Sequence, residues 1–110
     1  MNERDIHKAV YDYLTAALPP GSICWTVPGG DGARTMAPRY RAGSPDILFC
    51  RNGCAYAVEV KGPRGRQSPE QQAEQALCER AGVPYAVVHG VDEMAETLLR
   101  WGIAPRARAA

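Results

Sequence analysis

The sequence predicts a mixed α/β domain, a small sheet with an antiparallel hairpin at its centre and helices on both faces. Three observations predict it. Two strand-like runs, residues 46–51 and 54–61, flank an Asn52-Gly53 turn. Helix-spaced apolar stripes stand before and after that pair, and a short apolar run, Tyr85–Val88, lies between the last two helices. At 110 residues the chain suffices for one core and one domain, 1–104, with 105–110 as a loose tail.

In chain order, Ile6, Val10, Tyr13, Leu14, Ala17 and Leu18 form one stripe of a helix from Glu3 to Leu18. Asn2 is its N-cap, and Pro19-Pro20-Gly21 ends it. Ile23 to Val27 reads as a short strand. Residues 28–44, rich in Gly, Pro and Arg, show no period; a loop of this length in a small domain is usually functional or mobile. Asn-Gly suits a type I′ turn, the common two-residue hairpin connection. Both hairpin faces carry apolar residues, so both are expected to be covered.

Past the loop Pro63–Arg66, Ser68 caps a helix beginning at Pro69, with Gln71 in capping-box position and Gly82 as the stop. Tyr85–Val88 is a strand, expected to pair parallel through a right-handed crossover. Residues 92–101 make the last helix, closed by Gly102. The order is αβββαβα.

Composition narrows the function classes. Apolar residues make up 45% and charged residues 23%, which fits an ordered globular domain rather than a disordered chain. No run reaches the roughly 20 apolar residues of a membrane span. The start, MNERDIHK, lacks the apolar stretch of a secretory signal, so a cytoplasmic location is expected. Cys24, Cys50, Cys54 and Cys78 have no CxxC spacing and read as reduced core residues rather than zinc ligands. The net charge of +1 hides an asymmetry: residues 28–68 carry seven basic and three acidic side chains, a local excess that suits a polyanion. His7 and His89 show no partner and read as structural. Trp25, Tyr56 and Trp101 read as core or interface aromatics.

The hairpin register locates the chemistry. With Asn52 and Gly53 as the turn, Arg51 faces Cys54, and extending the register sets Asp46 opposite Glu59. Directly opposed residues share a face, with Cβ atoms about 4.5–5.5 Å apart. Lys61, two residues on, points the same way. Two carboxylates at about 5 Å repel by on the order of 3 kcal/mol at an effective dielectric near 20. Lys61 offsets part of this, and a divalent cation would remove it. Two carboxylates with carbonyls, such as that of Val60, and waters suit a hard ion such as Mg²⁺. Such an ion polarises phosphoryl oxygens and lowers the pKa of water. An ordinary solvated strand end is the alternative for Glu59 and Lys61 taken alone.

Pro45-Asp46, then Glu59-Val60-Lys61, resembles the PD-(D/E)xK nuclease signature. The longer run Ala42-Gly43-Ser44-Pro45-Asp46-Ile47, Val58-Glu59-Val60-Lys61 and Ser68-Pro69-Glu70-Gln71 resembles the VRR-NUC domain, in its small stand-alone phage and bacterial form. That resemblance extends from Glu3 to Gly102. It implies a restriction-endonuclease-like core and Mg²⁺- or Mn²⁺-dependent hydrolysis of DNA phosphodiesters, with branched or structured DNA as substrate. It matches Asp46 and Glu59 to metal-binding acids, Lys61 to the catalytic lysine, Gln71 to a glutamine of the site and Glu3 to the acid of the first helix. Gln71 has the cap as its competing role, and Glu3 the helix dipole. Yet Glu3 falls about 60° from Ile6 on the helical wheel, toward the inward stripe.

Arg34, Arg39 and Arg41 in the long loop, with Arg64 and Arg66 past the signature, are candidates for phosphate contacts. One site per chain leads to the expectation of a homodimer for cutting both strands. The rival expectations are a non-catalytic nucleic-acid-binding module and a nuclease acting on RNA.

Overall fold

A computed structural model describes residues 1–27 and 43–106. Helix α1 (Glu3–Ala17) leads into β1 (Ile23–Thr26). The hairpin β2 (Ile47–Arg51) and β3 (Cys54–Val60) follows, then α2 (Pro69–Arg80), β4 (Tyr85–Val88) and α3 (Val91–Arg100). The expected order holds, with boundaries moved by a residue or so. The loop arginines Arg34, Arg39 and Arg41 lie outside the described residues.

Local chemistry sets the elements. The Asn2 side chain accepts the Asp5 N–H and caps α1. Asn52 and Gly53 take φ of 51° and 75°, the positive pair a type I′ turn requires. The Ser68 hydroxyl accepts the Gln71 N–H, and the Gln71 side chain accepts the Ser68 N–H, a complete capping box.

The sheet runs β1-β2-β3-β4. The first three strands are antiparallel, and β4 pairs parallel with β3. The hairpin register is the expected one, Arg51↔Cys54 through Ile47↔Val58. Alternation divides the sheet into two faces. On one, Ile47, Phe49, Tyr56, Val58, Val60, Ala86 and Val88 pack with Ile6, Val10 and Leu14 of α1 and Met94 and Leu98 of α3. Phe49 stacks on Tyr56 with ring centroids 4.7 Å apart, and Trp101 leans on Tyr56 at 5.1 Å. On the other face lie Ala57, Glu59 and Tyr85, toward α2, which itself buries no residue. That second face carries the candidate site.

Trp25, read as a core or interface aromatic, is 45% exposed on the edge strand β1. Two expectations change. The four cysteines are reduced but only half-buried, and burial pushes the Cys24 thiol up to about 11. Arg106 does not lie in a loose tail: its guanidinium donates to Leu18 O from Nε at 2.9 Å and Nη2 at 2.7 Å. Its N–H also donates to Ala17 O at 2.7 Å. The last turn of α1 carries no basic residue, and Arg106 supplies donors to its final carbonyls from a distant part of the chain. Among the described residues no helix is long and apolar enough to cross a membrane.

Candidate active site

The site forms where β2 begins and β3 ends. Pro45 has no N–H to continue the ladder, so β2 starts at Ile47 and Asp46 stands one residue outside it. Asp46 nevertheless stays on the sheet. Its N–H donates to Val58 O at 3.0 Å, and its carbonyl accepts the Val27 N–H at 2.8 Å. Its Oδ2 accepts the Val60 N–H at 2.7 Å. The side chain thus replaces the main-chain acceptor that β3 loses beyond the end of β2. This corrects the simple picture of two acids facing each other: Asp46 is bent onto the backbone of β3. Val60, expected to offer its carbonyl to a metal, also anchors Asp46 through its amide.

Burial raises the Asp46 pKa most. The Val60 hydrogen bond and nearby His7 lower it, while the charges of Glu3 and Glu59 raise it further. The three acids therefore share one electrostatic neighbourhood. His7 belongs to it as well: its Nε2 is buried without a hydrogen-bond partner among the described residues. Spacing on the first helix signals this, since His7 lies one turn beyond Glu3.

Glu59 is completely buried. Its Oε1 accepts the Tyr85 hydroxyl at 2.6 Å and the Gln67 amide at 3.3 Å. Gln67 in turn donates to Gln75 Oε1 at 2.9 Å. Glu59 Oε2 has no hydrogen bond among the described residues, and Lys61 Nζ stands 3.4 Å from it as an ion pair. One oxygen is fully engaged, and the other is turned toward Lys61. Burial, then the contact with Glu59, raises the Tyr85 pKa, so the phenol stays protonated and donates.

Two further residues expected in the site make other contacts beside it. Gln71 spends its side-chain carbonyl on the Ser68 amide, and Gln67 is the glutamine that reaches Glu59. Glu3 is exposed at the mouth, because the inward stripe of α1 begins only at Ile6. Gly62 runs past it, with Glu3 Cβ 3.8 Å from where a Gly62 side chain would begin. Arg64 and Arg66 are exposed, on either side of Gly65 in the turn over Lys61. Gly43, at φ +83°, lies so close to α2 that a Cβ there would fall 2.4 Å from Glu70 O. This contact seats the segment carrying Asp46 on the helix that carries Gln71. Tyr85 and Gln67 escaped sequence reasoning, because nothing local pairs either with Glu59.

A model of the VRR-NUC domain matches residues 33–92, more than half of the chain and all of the acid–lysine cluster but Glu3. The chain belongs to the VRR-NUC family. Among solved structures, a VRR-NUC domain is 22% identical with a TM-score of 0.63, over 89% of this chain and 94% of that one. A VRR-NUC domain protein is 16% identical with a TM-score of 0.72, over 92% of this chain and 88% of that one. At these identities the likeness is one of fold. No curated protein matches this chain. The VRR-NUC fold is a nuclease-type fold, and Asp46, Glu59 and Lys61 of this VRR-NUC domain lie at the open end of its hairpin.

Proposed function

We propose that this chain is a metal-dependent endonuclease that hydrolyses DNA phosphodiester bonds. The observation that carries the reading is the asymmetry of Glu59. Tyr85 and Gln67 hold Oε1, while Oε2 is buried with only the Lys61 ammonium beside it. An ordinary structural carboxylate would have both oxygens hydrogen-bonded.

The residues fit a hard cation. Among the described residues, no three His, Cys, Asp or Glu side chains are arranged to hold a metal ion. Mg²⁺ keeps several waters and takes one or two carboxylates, which Asp46 and Glu59 supply. Mn²⁺ accepts the same oxygen donors. Such a cation supplies Lewis acidity toward a phosphoryl oxygen and a lowered pKa for water.

The chain's own groups do the rest. Tyr85 and Gln67 fix the Glu59 carboxylate, and Val60 fixes Asp46. Lys61, 13% exposed and held beside Glu59, stabilises negative charge on the phosphate or orients the attacking water. Arg64 and Arg66 neutralise neighbouring phosphates, and Arg34, Arg39 and Arg41 extend that contact. Glu3 adds negative charge at the rim.

Branched or structured DNA is the proposed substrate, on the family resemblance. A homodimer is proposed for cutting two strands; Ile23, 53% exposed, and Trp25 on the edge strand offer it a surface. Labelled junction, flap and duplex DNA, with RNA in competition, are incubated with Mg²⁺ or Mn²⁺. Metal-dependent cleavage of DNA that is lost in Lys61→Ala, with binding retained, supports the reading. Binding without cleavage under either metal sinks it in favour of a non-catalytic module, and preferential cleavage of RNA reassigns the substrate.

A further inference from the structure

The turn after β3 is fastened from the segment that follows β4, its parallel neighbour. Its own bond, Gly65 N–H to Gly62 O at 2.9 Å, closes it. A side chain at Gly65 would begin 3.1 Å from Lys61 Cβ and 3.2 Å from Lys61 Cδ, so the turn lies directly on the lysine stem. The Gly65 carbonyl stands 3.3 Å from His89 Nε2. His89 Nδ1 stands 3.0 Å from Glu93 Oε1, and the same oxygen accepts the His89 N–H at 2.9 Å. Both ring nitrogens therefore face acceptors. A neutral imidazole has one N–H, while an imidazolium has two, so only the protonated ring satisfies both contacts.

We propose that His89 and Glu93 form a clamp that seats the Gly62–Arg66 turn on Lys61, making His89 a positioning residue for the nuclease reaction. The effect on rate rests on the function proposed above; the clamp itself rests on the geometry alone. His89 touches no reacting atom. It fixes the Gly65 carbonyl, the turn fixes the Lys61 stem, and Arg64 and Arg66 are carried by the same turn.

The clamp is made or released by one proton. His89 lines a cleft of about 550 Å³ together with Pro63 of the turn. Charged residues lining the cleft are Glu93 and Asp92 from α3. The turn adds Arg64 and Arg66, and Lys61 lies beneath it. The Glu93 hydrogen bond raises the His89 pKa most, against some desolvation, and the Gly65 carbonyl adds to it. The clamp is therefore fully formed below the ordinary histidine value of about 6.5. It is lost as pH rises through the raised value. Above that point the neutral ring keeps its one proton on Nδ1, facing the nearer Glu93 carboxylate, and Nε2 no longer donates to Gly65.

The test compares wild type, His89→Ala and His89→Gln on labelled DNA with Mg²⁺ or Mn²⁺ from about pH 6 to pH 9. Amide and imidazole signals of the metal-free wild type are followed by NMR over the same range. His89→Ala should lower kcat about tenfold at the acidic end, by misplacing Lys61. His89→Gln, whose amide can still donate to Gly65, should recover most of that loss. The ratio of wild-type to His89→Ala rates should fall toward one as His89 deprotonates, and the Gly65 amide should titrate with the His89 ring. A ratio independent of pH, or a Gly65 amide that ignores the His89 titration, overturns the clamp. If no protein cleaves DNA, the nuclease reading fails while the Gly65 signal still decides the clamp. Should His89→Ala fail to fold, the glutamine variant and the wild-type titration carry the same decision.

Discussion

Tyr85 donates its hydroxyl to Glu59 at 2.6 Å, from a strand parallel to the one that carries the acid. Glu59 pairs with Val87, and Tyr85 pairs with Ala57, so the two side chains lie on one face two residues out of register. Only a parallel neighbour in this register brings a phenol there. Replacing it by phenylalanine keeps the ring and removes the donor. Tyr85→Phe should cost about 1.5–3 kcal/mol, the range for hydrogen bonds to charged groups. It should also lower cleavage, because Glu59 loses its firmest contact. Urea unfolding alongside cleavage assays checks both; unchanged stability would mean that the phenol carries no weight.

Gln71 and Gln67 separate by their roles. Gln71→Ala removes half of the capping box and should lower stability by about 0.5–1 kcal/mol, with kcat nearly unchanged. Gln67→Ala removes a donor to Glu59 and should lower kcat more than it lowers stability. Thermal melts paired with steady-state kinetics distinguish them. A catalytic collapse in Gln71→Ala would return that residue to the reacting centre.

Asp46 is held ionised against its surroundings, since burial, Glu3 and Glu59 raise its pKa. A raised carboxylate pKa costs stability above that pKa, and the cost vanishes below the unfolded value of about 3.9. Asp46→Asn keeps an oxygen for the Val60 amide and drops the charge. The metal-free variant should melt roughly 2–4 °C higher at neutral pH. That gain should fade as pH falls through the raised pKa. Calorimetry should also show Mg²⁺ binding abolished. A lower melting temperature at neutral pH would make Asp46 a structural acid.

Gly43 tests the seat of the site. A methyl group there meets Glu70 O at 2.4 Å and Gln71 N at 2.9 Å, on a backbone already at positive φ. Gly43→Ala should therefore destabilise by about 1–3 kcal/mol and displace Asp46 from its seat. Melting curves and Mg²⁺ titrations read the two effects. A variant that behaves as wild type would show that the contact is not needed.

Arg106→Ala should cost about 0.5–1.5 kcal/mol by stripping donors from the end of α1. Amide exchange in the last turn of α1 should quicken with it. Unaltered exchange there would show that solvent replaces the arginine without loss.

What the sequence disclosed was local. Asn52-Gly53 determined the register, and Ser68 with Gln71 marked the start of α2, because both signals act over four residues or fewer. The acid–lysine cluster followed from that register. Arg106 on Leu18, Tyr85 on Glu59 and His89 on Gly65 join segments 24 to 88 residues apart, and no period or cap announces them. His89 precedes α3, so no helical spacing pairs it with Glu93, and its importance depends on Gly65 lying across from it. Asp46 illustrates the boundary: its place was legible, while the turning of its carboxylate onto Val60 depends on where β2 stops.

That last bond makes the Val60 amide a gauge of the carboxylate. Its hydrogen is bonded while the aspartate stays folded back against the strand. Deuterium uptake at this single position would register each excursion of the acid, in resting protein, before any substrate arrives. An acid that also closes the end of a hairpin cannot wander without fraying the sheet, so the precision of the centre and the integrity of the scaffold are the same event.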